Sequence, residues 1–205
     1  MPKVEHPMQA LATYLPENTF DKVVHYLHHY KVHLTVTKER KSILGDYRNA
    51  INGKNHRITV NGNLNKYSFL ITLLHELAHL LAHEKFGNRI AAHGKEWKII
   101  YGGLLATFLE HKIFPVDIEN ELQVSLANPA ATSCAEEDLM RVLRNYDIKK
   151  NGHFLIEDLP QNAIFSTKDG RVFKKGERLR KRFRCTELKT NFVYLFSPVY
   201  EVKPL

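Results

Sequence analysis

The stretch Thr72-Leu73-Leu74-His75-Glu76-Leu77-Ala78-His79-Leu80-Leu81-Ala82-His83 constrains this chain more than any other, because ionisable side chains interrupt an otherwise apolar run. At 3.6 residues per turn, His75 and His79 lie one above the other on a helix and can meet a single metal ion. Glu76 projects beside that ion, where a general base acts on water. HExxH is short enough to arise by chance, so its setting decides. Leucines and alanines surround both histidines, which predicts a helix buried on nearly all sides. An imidazole or carboxylate in such surroundings costs on the order of several kcal/mol unless it is paired or ligated. Metal binding is therefore the reading here, ahead of a solvated histidine face.

A hydrolytic zinc site takes three protein ligands and keeps one position open. His83 continues the same helical row but lies about 12 Å along the axis from His75, so it cannot share the ion. His93 follows the break at Gly87-Asn88, where the chain can turn and return beneath the metal. Gly94 allows close backbone approach, and Trp97 can pack behind the imidazole. Geometry favours His93, with Glu84 and Glu96 left open as ligands or acceptors; Glu110 and His111 lie too far along the next helix. His25, His28, His29 and His33 read as a solvated surface, since no acidic or cysteine partner is near in sequence.

The remaining pattern supplies a scaffold. Phe20, Val23, Val24 and Leu27 recur at helical spacing after Asn18 and Thr19 and predict a helix to about Tyr30. Alternation at Val32, Leu34 and Val36, and again at Ile58 and Val60, predicts two strands; Gly45 to Gly53 between them is turn-rich. The second strand is of the kind that borders a peptidase cleft. The metal-bearing helix should run from about Tyr67 to Phe86 and stop at Gly87. A second long helix starts near Trp97, and Pro115 ends its pattern. Ser133 and Glu136 form a capping box before a short connecting helix. Beyond Gly152 the pattern turns strand-like, at 154–156, 163–165, 178–185, 192–196 and 199–202, with a hairpin turn at Lys168-Asp169-Gly170-Arg171. Three segments result: 1–128, 129–150 as a connecting helix, and 151–205 as a basic β-rich module.

Hydrophobic residues at 43% and charged residues at 25% suit a soluble globular protein. No run of about 18 apolar residues occurs and Met1 to Tyr14 lacks an apolar leader core, so a cytoplasmic protein without membrane partner is expected. Cys134 and Cys185 form no CxxC pattern and read as unrelated reduced thiols. The net charge of +8 is concentrated: residues 168–184 hold nine basic side chains against Asp169 and Glu177, a balance of +7. Arg171, Lys174, Lys175, Arg178, Arg180, Lys181, Arg182 and Arg184 make one strand face positive and point to nucleic-acid phosphate, with Phe183 or Tyr194 available for stacking if they face outward.

His75-Glu76-Leu77-Ala78-His79, followed after a short loop by His93-Gly94-Lys95-Glu96-Trp97, resembles the signature of the SprT-like, Spartan-type zinc metallopeptidases. The resemblance extends from about Arg57 to about Val116. It implies an α+β fold with a zincin-like catalytic domain, one zinc held by His75, His79 and His93, Glu76 as catalytic base, and a protein substrate. Relatives that act on DNA-attached proteins point the basic hairpin toward DNA. Many bacterial members end in a zinc ribbon with CxxC pairs. Here just Cys185 stands in the corresponding hairpins, so the last segment resembles a degenerate ribbon with Phe183, Phe192, Tyr194 and Phe196 as its core.

Two other readings stand beside the peptidase. An ImmA/IrrE-like regulatory peptidase shares the HELxH helix but takes a glutamate ligand from a later helix, against which the His93-Gly94 pair counts. A non-enzymatic nucleic-acid-binding protein stapled by zinc has no use for Glu76. No group in the sequence marks itself as the oxyanion stabiliser; Tyr47 and Tyr101 are the tyrosines at hand.

Overall fold

A computed structural model describes residues 7–40, 42–51, 53–126, 136–148 and 152–205. They fall into two compact units, 1–147 and 148–205, of mixed α+β structure. Ser133 of the expected capping box, and Cys134, lie outside the described residues.

In the first unit a 3-10 helix (Met8–Tyr14) leads into α1 (Phe20–His29). Three strands follow: β1 (His33–Thr37), β2 (Gly45–Arg48) and β3 (Arg57–Asn61). They form a sheet in the order β1-β3-β2, with β1 parallel and β2 antiparallel to β3. The strand expected around Ile58 and Val60 is thus central, with both of those side chains buried. The turn-rich stretch differs from expectation: Gly45-Asp46-Tyr47-Arg48 is an edge strand. Tertiary pairing with β3 overrides the poor strand propensity of Gly and Asp.

Helix α2 (Lys66–Phe86) starts where the Asn65 side chain accepts a hydrogen bond from the Ser68 amide at 2.9 Å. It stops at Gly87, whose φ of 61° few other residues adopt. Its leucines and alanines are almost all buried, because it packs against β2 and β3 and also against α3 (Lys95–Glu110). Burying such a leucine contributes about 1.5–3 kcal/mol, so this helix organises the unit. Pro115 ends nothing; it opens a further helix, α4 (Val116–Leu126), its carbonyl accepting from the Glu119 amide. Helix α5 (Glu137–Arg144) adds Leu139 and Leu143 to the same core. Asn65 donates to the Leu143 carbonyl and to Asp147, tying the start of α2 to this helix.

The second unit is a six-stranded sheet in the order β4-β9-β5-β6-β7-β8, comprising β4 (Phe154–Leu155), β5 (Ile164–Ser166), β6 (Val172–Leu179), β7 (Arg182–Glu187), β8 (Val193–Phe196) and β9 (Glu201–Pro204). All its pairings are antiparallel. The turn at Lys168-Asp169-Gly170-Arg171 joins β5 to β6, with Gly170 at φ 83°. The stretch 178–185, expected as one strand, is instead a hairpin that turns at Arg180-Lys181, Arg180 taking a φ of 47°. Phe165, Phe173, Phe183, Cys185 and Val202 form the core, with Tyr194 and Phe196 packed against it. Phe192 is exposed rather than a core residue.

Candidate metal centre

Helix α2 presents His75 and His79 one turn apart, and the loop after Gly87 returns His93 to them just before α3 begins at Lys95. Nε2 of His79 and Nε2 of His93 each lie 3.3 Å from Nε2 of His75. Three neutral imidazoles have little reason to converge through the same ring atom. A shared ion gives one, since two nitrogens 2.0–2.1 Å from a tetrahedral metal lie about 3.3–3.4 Å apart. The donor set, one atom from each of three histidines, therefore fits a divalent cation without rearrangement.

Trp97 packs against all three rings, with centroids 4.7, 5.2 and 4.8 Å from those of His75, His79 and His93. Tyr101 adds a ring 5.4 Å from His75. This aromatic floor desolvates the cluster. Burial pushes His75 down to about 3, with His79 and His93 adding to the effect, and pushes His79 down to about 4, again helped by His93. His93 is lowered too, by burial and then by Lys98. All three rings are therefore neutral near pH 7, the form that a metal requires.

Glu76 lies beneath β2 and is 5% exposed. Burial pushes its carboxyl up to about 8; Asp46 raises it further and Arg40 opposes. Gly45 makes room for it, because a Cβ there would stand 2.5 Å from Glu76 Oε1 and 2.8 Å from Thr72 Cγ2. Sequence reading passed over Gly45 as one turn residue among several; its spacing carried no signal of this approach.

His83 and Glu84 are not in the cluster of three. They gather one turn further along α2 with His56, whose Nε2 is 3.2 Å from Glu84 Oε1, while His83 Nδ1 is 3.8 Å from the same oxygen. Tyr47 and Asn49 border this second group. His111 bonds Lys22 on the surface at 2.7 Å, and His25 stacks on His29 in the exposed part of α1.

The basic residues divide. Lys175 is interior, a correction to its place in the surface cluster: its ammonium donates to the carbonyls of Leu159 (2.5 Å) and Glu157 (3.3 Å) and lies over the Phe183 ring. Arg171 is paired with Glu187 at 2.8 Å and lies over Tyr194. Lys174, Arg178, Arg180, Lys181, Arg182 and Arg184 are exposed, Arg184 lying 3.7 Å from Glu177. Phe183 and Tyr194 pack inward, so neither offers a face for base stacking.

The sequence model of the SprT-like family matches residues 9–118, more than half of the chain, and spans the helix with His75, Glu76 and His79 as well as His93. The chain belongs to the SprT-like family. Protein SprT of Pseudomonas putida is 58% identical over 33 residues, which is 16% of this chain and 20% of the relative. Protein SprT of Pseudomonas entomophila is 54% identical over a segment of the same length and shares. The chain thus matches about a fifth of the length of these curated relatives. No solved structure matches it. Among the described residues no helix is long and apolar enough to cross a membrane.

Proposed function

We propose that this SprT-like chain is a zinc-dependent peptidase with a zincin-like site, in which His75, His79 and His93 hold one zinc and Glu76 is the catalytic base. The observation that carries this reading is the 3.3 Å spacing of the imidazole nitrogens, with the buried carboxylate of Glu76 next to His75 on the same helix. A structural zinc is usually closed by a fourth protein ligand, and the cluster of described donors contains three.

When bound, zinc supplies a Lewis acid that polarises a peptide carbonyl and makes water more acidic. The chain's own groups do the rest. The three imidazoles fix the ion's place, and Trp97 and Tyr101 exclude solvent from behind them. In its ionised form, which a divalent cation beside it would favour, a Glu76 carboxylate oxygen takes the proton of the attacking water and delivers it to the departing amine nitrogen as the C–N bond breaks. The strand holding Gly45 keeps that carboxylate close under β2. Protein chains are the substrate class.

The six exposed cations on and around the β6–β7 hairpin support a second element of the proposal, contact with DNA phosphates that brings the peptidase to DNA-associated proteins. With the core aromatics turned inward, such contact would position the protein without reading sequence.

The experiment is cleavage of an unfolded protein by chelator-treated chain before and after one equivalent of zinc is restored, with and without DNA. The reading expects cleavage that depends on zinc. Cleavage by the metal-free chain, or none under any of these conditions, would end it.

A further inference from the structure

His79 sits at the rim of the cluster, held on one side by Trp97, centroids 5.2 Å apart. The Tyr47 ring lies parallel to it, with an interplanar angle of 6° and centroids 6.4 Å apart. Tyr47 belongs to β2, the strand that also places Gly45 against Glu76. Its phenol is 3.0 Å from Nδ1 of His56.

The second cluster of His56, His83 and Glu84 has the composition of another metal site, and its hydrogen bonds decide otherwise. The Ala50 amide donates to His56 Nδ1 at 3.2 Å, so that nitrogen carries no hydrogen. A neutral imidazole then bears its hydrogen on Nε2, which donates to Glu84 Oε1 at 3.2 Å. A metal on Nε2 would leave the ring with no hydrogen on either nitrogen. His56 is instead a link between the phenol of Tyr47 and the carboxylate of Glu84, five residues beyond His79 on the same helix.

We propose that Tyr47 is a positioning residue for the metal ligand His79, its ring held against that imidazole by a hydrogen-bonded chain through His56 to Glu84. This rests on the metal reading above. The chain closes a loop: from α2 at His79 to β2, to the start of β3, and back to α2 at Glu84. The loop fixes the height of β2 over the helix and leaves the His79 ring one orientation. Groups that orient a metal ligand typically matter by about 10–100-fold in metal affinity.

The test uses the full chain. Zinc affinity is measured by competition with a chromophoric chelator, and the visible spectrum of the cobalt(II)-loaded protein reports ligand geometry. Tyr47→Ala and Tyr47→Leu should weaken zinc binding about 10–100-fold and alter the cobalt spectrum. Tyr47→Phe, which keeps the ring and cuts its bond to His56, should lose part of the affinity; wild-type affinity in that variant would show that the hydrogen-bonded chain does not hold the ring. A residue that only fills space would lower the melting temperature and leave the cobalt spectrum of the folded protein unchanged. That result with either Tyr47→Leu or Tyr47→Ala overturns the proposal. So does a second equivalent of cobalt that disappears in His56→Ala, since the cluster would then be a metal site. Wild-type protein that binds neither metal refutes the metal reading itself, a failure visible before any variant is made.

Discussion

Replacing Gly45 with Ala tests the closeness of β2 to the catalytic helix. The added Cβ would stand 2.5 Å from Glu76 Oε1, 2.8 Å from Glu76 Cγ and 2.8 Å from Thr72 Cγ2. Carbon contacts relax at about 3.5–4.0 Å, so roughly 1 Å of movement is required. Turning Glu76 alone does not suffice, because Thr72 obstructs from the same helix; the strand must lift. Overpacking of this kind costs about 1–3 kcal/mol. Alanine recovers about 0.4–1 kcal/mol by restricting the unfolded chain, which leaves a net loss of about 1–2 kcal/mol. For a chain of this size that lowers the melting temperature by about 2–8 °C. Turnover should suffer more, since a catalytic group misplaced by 1 Å can cost on the order of 100-fold. Zinc content should hold. Thermal unfolding, metal analysis and cleavage of an unfolded protein are measured on the same preparation. Gly103→Ala is the control: nothing lies within 4 Å of its added Cβ on α3, and it should stabilise by about 1 kcal/mol. A Gly45→Ala protein as stable and active as wild type would refute the close-approach argument.

Other outcomes follow from the same geometry. His93→Ala should strip most zinc while His83→Ala changes it little, by elemental analysis; the reverse would reassign the third ligand. Glu187 is held down to about 2 chiefly by Arg171 and then Thr190. Its stabilising effect is therefore complete above about pH 4.5 and lost as pH falls toward 2, so the protection of β6 and β7 amides, with the intrinsic exchange rate at each pH divided out, should fall across that window, and less so in Glu187→Gln. Lys175→Ala leaves the Leu159 and Glu157 carbonyls without their donor and should destabilise the second unit by about 1–3 kcal/mol in denaturant unfolding; a neutral result would mean that water replaces the ammonium. If the exposed hairpin cations contact DNA, log affinity should fall with log salt by about 0.7–0.9 per phosphate contact, and changing Arg178, Arg180 and Arg182 to Glu should flatten that slope. Equal binding by variant and wild type at low salt would remove DNA from the account.

The histidine cluster was legible because its signals are local: histidines set in a leucine-rich run, a glycine stop, and a histidine-glycine pair just before Trp97. What surrounds it was not. Gly45-Asp46-Tyr47-Arg48 is composed of turn formers, and it is a strand because β3 offers a free edge and Glu76 requires a neighbour without a side chain. Tyr47 was merely an available tyrosine, since the contact that matters joins it to His79 across 32 positions of sequence. Pro115 read as a terminator, although proline suits a helix start as well as a stop. The β6–β7 turn carries no Gly or Asn to announce it, and Arg180 occupies the left-handed region instead. Lys175 reads as a surface charge from its type alone; two backbone carbonyls draw it inside.

The central claim is that Glu76 performs hydrolysis at a zinc held by three histidines. It is tested most directly by measuring zinc content and cleavage of an unfolded protein on wild type and Glu76→Gln side by side. The amide keeps the shape of the carboxylate and cannot take a proton. The account predicts one zinc per chain in both proteins, cleavage by the wild type, and none above background by Glu76→Gln. Equal cleavage by the two, with zinc present in each, would contradict it.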